Sequence, residues 1–328
     1  MRMKRLAVAM LCLIGMLLQS GQIHAQSPVA GAYPTKPIRI IVPFPPGGAN
    51  DIIGRYIGQR LSARLGQPVV IDNRAGADAI IGTSLAANAA PDGHTLLIAS
   101  TTFTMTPALH KKLPYDPLKS LTPVALIARG PNTIATWPQL PVNSIKDLIA
   151  LAKAKPGQLN YASSSAGGVT NFAGELFKLM AGVDIVHVTY KGGGPAMADV
   201  MAGHVPVLVN TLLPVLPLAK AGRLKILGVT TAKRTPILPD IPAIAETVPG
   251  YEAAIWWGLL GPAGMPRDLV TKINSEVAAI LGEPETVKWF TTQAAEPSPI
   301  TPDDFRKMIA GDLVRWSKVA KDTGISLQ

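Results

Sequence analysis

From Pro37 onward, short apolar runs alternate with segments whose apolar residues recur every three or four positions. Ile38–Val42, 69–71 and 95–99 read as strands, and the stretches between them, 50–65 and 80–88, read as amphipathic helices. In the first helix Ile53, Ile57, Leu61 and Leu65 form one stripe and Arg60 and Arg64 fall off it, while Gly66 followed by Pro68 supplies the stop. One helix face therefore packs on a sheet. Strands joined through helices run parallel with right-handed crossovers, so this segment predicts a doubly wound α/β layer.

A second series of the same kind follows a Pro-rich passage at Pro131, Pro138 and Pro141. Ser144 and Asp147 have the spacing of a capping box ahead of a helix over 148–154, which Lys155-Pro156-Gly157 closes. Strands are expected at 159–162, 185–190, 205–209 and 225–230, with helices at 170–181, 195–202 and 214–221 between them. After Thr235-Pro236 come an aromatic strand at 255–260 and two long terminal helices. Thr301-Pro302-Asp303-Asp304 caps the last of these, and Phe305, Met308, Ile309, Leu313 and Trp316 mark its apolar face. The second layer is already complete, so the terminal helices are expected to return and cover the first. The expected fold class is α/β, with two doubly wound lobes. Lobe I spans 33–129 plus 236–328 and lobe II spans 130–235. Two lobes joined by two crossings, near 129 and 236, make a hinge. No self-similarity with a solenoid period is visible.

The N-terminus changes the picture of where such a molecule works. Three basic residues, Arg2, Lys4 and Arg5, lead into an apolar run over 6–18, too short to span a bilayer, and Ile23-His24-Ala25 offers a small residue for cleavage. Residues 1–25 are therefore expected to be a secretory signal peptide, with the mature protein in the periplasm. The single cysteine, Cys12, would leave with it, taking disulfide and thiolate chemistry away. The 31 Lys and Arg against 21 Asp and Glu fall to 28 against 21, a net charge of +7, once those three basic residues are gone. The basic residues are scattered, with no stripe interleaved with aromatics, which argues against nucleic acid as a partner. A chain 48% hydrophobic can bury a sizeable core, and a monomer is the default expectation.

Three strand-to-helix loops are rich in Gly, Ser and Pro: 43–51, 163–170 and 191–195. Ligands of open α/β sheets bind beyond the carboxyl ends of strands, and glycine-lined helix starts present free N–H groups and a positive dipole end to an anion. None of these loops has P-loop or dinucleotide spacing, and no Gly-x-Ser-x-Gly elbow occurs. His94, His110, His187 and His204 are never at ligand spacing with an acid, so neither a metal nor another cofactor is expected. His187, flanked by apolar neighbours in a strand, reads as a core or edge residue, Asp51 suits a helix cap, and Trp256-Trp257 reads as core packing.

The order and spacing of these landmarks resemble the periplasmic receptors of tripartite tricarboxylate transporters, the Bug-type solute receptors. They include Tyr33-Pro34, Val42-Pro43-Phe44-Pro45-Pro46-Gly47-Gly48 with Asp51, Asn73-Arg74-Ala75-Gly76, Pro91-Asp92-Gly93-His94, Pro114-Tyr115-Asp116-Pro117, Ala173-Gly174-Glu175-Leu176-Phe177, Tyr190-Lys191-Gly192 and Gly261-Pro262-Ala263-Gly264-Met265-Pro266. The resemblance implies a type II periplasmic-binding-protein fold that closes like a flytrap on a carboxylate, has no catalytic step and docks on membrane permease subunits. Feeding a membrane sensor, or an enzyme acting on an anion, are the alternatives. On the first lobe the expected ligand contacts are Phe44, Pro46, Gly47, Gly48, Asp51, Ser100 and Thr101. On the second they are Ser163, Ser164, Ser165, Gly168, Thr170, Lys191, Gly192 and Asn210. Gly168-Val169 stand where many relatives carry Ser or Thr, Asn210 where relatives often carry an acid, and 75–79 reads Ala-Gly-Ala-Asp-Ala. These departures bear on which acid is bound.

Overall fold

In the computed structural model residues 33–164, 167–190 and 192–325 are described. The expected signal peptide with Cys12, and the candidate contacts Ser165 and Lys191, lie outside the described residues. The first apolar run forms β1 (Ile38–Val42), followed by α1 (Ala49–Leu65), β2 (Val69–Asn73), α2 (Ile80–Ala87) and β3 (Thr95–Ser100). Ile53, Ile57 and Leu61 are buried as their spacing requires, and Gly66 ends α1 in the left-handed region at φ 70°. A short helix, α3 (Thr102–Leu109), and two strands not expected from the sequence come next: β4 (Leu121–Gly130) and β5 (Asn132–Thr136).

The second half contributes α4 (Ile145–Ala154), β6 (Asn160–Ser163), α5 (Val169–Ala181), β7 (Val186–Thr189), α6 (Gly193–Met201), β8 (Val207–Thr211), α7 (Leu212–Lys220) and β9 (Lys225–Val229). The chain then runs through β10 (Ile255–Pro262), α8 (Arg267–Leu281), α9 (Pro284–Thr292), β11 (Glu296–Pro297) and α10 (Pro302–Thr323). Thus the two long helices, α8 and α10, follow the aromatic strand, with the short α9 between them.

Two sheets result. The first has the order β11-β4-β10-β3-β1-β2 and the second β7-β6-β8-β5-β9. The βαβ units are parallel as expected, β1 with β2 and β3, and β6 with β7 and β8. The sheets are nonetheless mixed, because β10 runs antiparallel between β3 and β4, and β5 antiparallel between β8 and β9. The strands that break the doubly wound pattern are the ones adjoining the passages between sheets, so they enter from the opposite direction.

The chain leaves the first sheet between Gly130 and Asn132. Residues 236–253 stay with the second sheet, where Ala243 bridges to Val229 and the Tyr251 hydroxyl donates to Ala173 O at 2.9 Å. The return falls between Ala253 and Ile255, well beyond position 236. The two passages are laced together by buried groups: Asn132 Nδ2 donates to Ala253 O at 2.7 Å, and Thr230 Oγ1 accepts from Asn132 N at 2.8 Å. Gly130 packs tightly there: a Cβ would sit 3.2 Å from the Trp257 ring and 3.3 Å from Ala294 O.

Each sheet has its own apolar core. Ile41, Leu97, Phe103, Leu126, Trp256 and Phe305 are packed in the first, and Ala162, Val200, Leu208, Val215 and Leu224 in the second. Helix α10 covers the first sheet through Phe305 and Ile309, but Trp316 further along it meets Phe172 of α5 edge-on at 5.6 Å. The last helix therefore touches both halves.

Candidate functional site

The carboxyl ends of β1, β3, β6 and β8 open onto one cleft of about 1000 Å³. One wall is 43–50, with Ala75, Gly76, Asp78, Ala79, Ser100 and Thr102. The other is Ser164, 167–170, 192–194, Met197, Asn210, Thr211 and Pro214, and Ile255 and Trp257 of β10 join the lining. Six helices, α1, α2, α3, α5, α6 and α7, start at this cleft. Their N-cap residues Gly48, Ala79, Thr101, Gly168, Gly192 and Thr211 make no side-chain cap bond. By contrast α4 and α10, which contribute no residue to the cleft, are capped by Ser144 and Thr301, whose hydroxyls accept from the N–H of Asp147 and Asp304. First-turn N–H groups at the cleft therefore meet no side-chain cap, as also at α8 and α9 away from it, and their dipole favours a negative group.

On the first wall the Gly47 backbone is left-handed at φ 83°, and the Gly47 N–H donates to Asp51 Oδ2 at 2.9 Å. Asp51 also accepts from Arg55 Nε at 3.0 Å and from Asn73 Nδ2 at 3.0 Å, and Asn73 Nδ2 in turn donates to Phe44 O at 3.1 Å. Asp51 is only 3% exposed and is not among the cleft-lining residues. Burial pushes its carboxyl up, but the hydrogen bonds from Arg55, Gly47 and Asn73 outweigh that and hold it below the usual carboxylate range. Its work is to shape the 44–48 loop from behind. Phe44, Pro46, Gly47 and Gly48 do line the cleft.

Ser100 lines the cleft and Thr101 does not, because the Thr101 hydroxyl accepts from Trp256 N at 2.9 Å. Beside them Ala77, Asp78 and Ala79 form a left-handed run at φ 47°, 51° and 71°, a conformation that costs about 1–2 kcal/mol per L-residue. It is held in part by Thr106 Oγ1, which donates to Asp78 O at 3.1 Å, and by His110 against Asp78 Oδ2 at 3.1 Å. Asp78 is the only charged residue among the described residues lining the cleft.

On the second wall Ser164, Gly168, Thr170, Gly192 and Asn210 all reach the cleft, whereas Ser163 is fully buried with its hydroxyl 2.7 Å from His187 Nε2. Alternation continued one residue past the end of β6 turns these two serines to opposite sides. Ser164 and Thr170 hydroxyls pair at 2.9 Å, and Gly192 N donates to Ser164 O at 2.8 Å, tying the α5 and α6 starts together. Gly193 comes so close that a Cβ would meet Asn210 Nδ2 at 2.8 Å.

Among the described residues, three buried polar atoms on the cleft lining have no hydrogen-bond partner: Asn50 Oδ1, Asn210 Nδ2 and Trp257 Nε1. For Asn210 the orientation is fixed, since its Oδ1 accepts from Thr211 N at 2.8 Å and so the amide nitrogen is the free end. The sequence reading missed Asn50 and Trp257. Strand alternation carried the signal for Trp257, because Trp256 points the other way, its indole donating to Asp312 at 2.8 Å. Among the described residues no cluster of His, Cys, Asp or Glu could hold a metal ion, and no helix is long and apolar enough to cross a membrane.

Comparison with known proteins gives a consistent set of likenesses. A family model described as the tripartite tricarboxylate transporter family receptor matches residues 53–325. Protein BugT of Bordetella pertussis is 36% identical over 323 residues, covering 97% of this chain and 98% of BugT. Among solved structures, R. palustris Rpa4515 with adipate aligns with a TM-score of 0.81 at 40% identity, over 90% of this chain and 100% of that one. MatC from Rhodopseudomonas palustris with bound malate aligns with a TM-score of 0.76 at 29% identity, over 88% of this chain and 99% of that one.

Proposed function

Since the chain belongs to the tripartite tricarboxylate transporter receptor family, we propose that it captures a small carboxylate in the cleft between its two sheets and delivers it to the membrane subunits of a tripartite transporter. The family is one of periplasmic solute-binding receptors, not of enzymes, and periplasmic location follows from membership. The observation that carries the ligand class is the set of helix starts without side-chain caps on both walls, in a cleft where no Lys or Arg is among the described lining residues. In such a site backbone N–H groups and hydroxyls hold the anion, and Lys191 is the one cation in the proposed contact set. The complexes of Rpa4515 with adipate and MatC with malate support the same chemistry.

The ligand contacts of this reading are Phe44, Pro46, Gly47, Gly48 and Ser100 on one wall and Ser164, Gly168, Thr170, Gly192 and Asn210 on the other. Ser165 and Lys191, outside the described residues, complete the proposed set. A volume of about 1000 Å³ exceeds what a short diacid fills, so the two halves close on the ligand about the passages at 130–132 and 253–255. Closure is driven by interactions that the ligand makes only in the closed state.

The test is a thermal-shift series with adipate, malate and their uncharged diamides. A ligand of the native state at 100 times its Kd stabilises by about 2.7 kcal/mol, so a carboxylate that binds raises the melting temperature measurably. A rise with a diacid and none with its diamide is expected. A rise with the diamides alone would overturn the carboxylate reading.

A further inference from the structure

Behind the α5 start lies a buried polar network that ligand contact alone does not explain. Asn171, 4% exposed, uses its whole amide: Oδ1 accepts from Gly167 N at 3.0 Å, and Nδ2 donates to the Tyr161 hydroxyl at 3.1 Å and to His187 Nδ1 at 3.1 Å. The Tyr161 hydroxyl donates to Glu175 Oε1 at 2.6 Å, and Lys178 pairs with Glu175 Oε2 at 2.9 Å. These directions are mutually fixed. A carboxylate accepts only, so Tyr161 must donate to Glu175 and receive from Asn171. The Asn171 nitrogen is then the donor to His187 as well, which makes Nδ1 an acceptor and puts the imidazole proton on Nε2, facing Ser163 Oγ at 2.7 Å.

The end of this chain is the backbone of Gly167, left-handed at φ 69°, one residue before the Gly168 N-cap. We propose that Asn171 and His187 are positioning residues. Through the Gly167 N–H they fix the turn that aims the N–H groups of 168–170 into the cleft, and they hold it only while His187 is neutral. A second proton on His187 would set Nδ1–H against the Asn171 amide hydrogens. Rotating the Asn171 amide to accept that proton would turn its nitrogen toward the Gly167 N–H, donor against donor. The Thr189 hydroxyl, 3.4 Å from Nδ1, can accept that proton, but the Asn171 amide hydrogens then still face a donor, so in each case the turn loses its support from behind.

The titratable groups facing His187 are Tyr161 on β6, stacked on it at 4.9 Å, and Glu175 and Lys178 on α5. Burial lowers the His187 pKa, with Glu175 opposing and Lys178 adding to that shift. The neutral form is therefore the resident one at neutral pH, and the switch lies on the acid side of the ordinary histidine range.

This inference rests on the reading of the cleft as an anion site, and two measurements keep the two separable. The first uses the ligand-free full chain, with NMR of the His187 ring nitrogens and the Gly167 amide from pH 7.5 to 5. The expected result is an Nε2–H tautomer at the high end and a Gly167 signal that titrates with the His187 midpoint. In His187→Asn, which keeps an acceptor toward Asn171 but cannot titrate, the Gly167 signal should stay flat. The second is the Kd for adipate over the same range, taken as the ratio of wild type to His187→Asn so that titration of adipate itself cancels. That ratio should rise about fivefold or more from pH 7.5 to the acid end. Asn171→Leu should weaken adipate binding at all pH values while circular dichroism stays native. A Gly167 amide indifferent to His187, or a flat ratio, overturns the inference and leaves the carboxylate reading standing. Failure of every diacid to bind overturns that reading and the role given to the turn with it.

Discussion

Asp51→Asn separates a residue that shapes the cleft from one that contacts the ligand. The replacement is nearly isosteric, yet every partner of Asp51 is a donor: Gly47 N–H and Arg55 Nε at one oxygen, Asn73 Nδ2 and Arg55 at the other. Whichever way the new amide turns, its nitrogen faces donors. Arg55 is half exposed and contributes little, so the cost falls on the Gly47 or the Asn73 bond. A buried hydrogen bond to a charged group is worth about 1.5–3 kcal/mol, so a loss of about 2 kcal/mol is expected. In a protein of this size that lowers the melting temperature by about 4 °C.

The Asp51 carboxyl is held below its usual range, so its stabilisation is complete above the unfolded-state value near 4 and is lost only as the pH falls through the lower folded-state value. Wild type and variant should therefore differ by a constant amount between pH 6 and 8. Urea denaturation and adipate titration are the paired assays. Stability and affinity should fall together, because the 44–48 loop loses its anchor. Unchanged stability with tighter adipate binding would mean that Asp51 faces the anion directly and would refute the assignment.

Other substitutions probe the remaining parts. Gly174→Ala would drive a methyl into the Tyr161 ring and should cost about 1–3 kcal/mol in denaturant melts. Ser144→Ala removes the α4 cap and should cost about 1 kcal/mol without changing ligand affinity, since α4 does not line the cleft. Trp257→Phe keeps a ring against Gly130 but deletes a buried N–H with no protein partner. Stability should change by less than about 1 kcal/mol while adipate affinity drops severalfold by calorimetry.

Much of this was legible along the chain. The β1-to-β3 unit is written in its hydrophobic spacing, and the Ser144 and Thr301 caps announce their helices at the residues where the hydroxyls accept. What escaped depends on tertiary direction. The prolines at 131, 138 and 141 made β5 look like a linker and β4 went unassigned, yet Pro123 sits within β4 opposite Leu260, and Pro131 occupies the passage between sheets. The antiparallel sense of β10 cannot be read from composition, because it follows from where the chain re-enters the first sheet.

The same holds within the site. The glycine-rich loops marked the walls, but which side chains face inward was settled by alternation and by local hydrogen bonds. Ser164 faces the cleft while Ser163 is turned to His187, and Asp51 is folded back onto Gly47. His187, read from sequence as a core or edge residue, is part-buried on the edge strand β7 and hydrogen-bonded through both ring nitrogens. That position gives it the positioning role proposed above.

The central claim is that helix starts on the two walls receive a carboxylate without a cationic side chain from the described lining. A crystal structure of the purified protein grown with adipate tests it most directly. The expected density places a carboxylate within hydrogen-bond reach, about 2.7–3.1 Å, of N–H groups at the α5 start, with the other end of the diacid toward the 44–48 loop and the two halves closed around it. Adipate held by surface lysines or arginines, with the cleft still open and the α5 start untouched, would contradict the account.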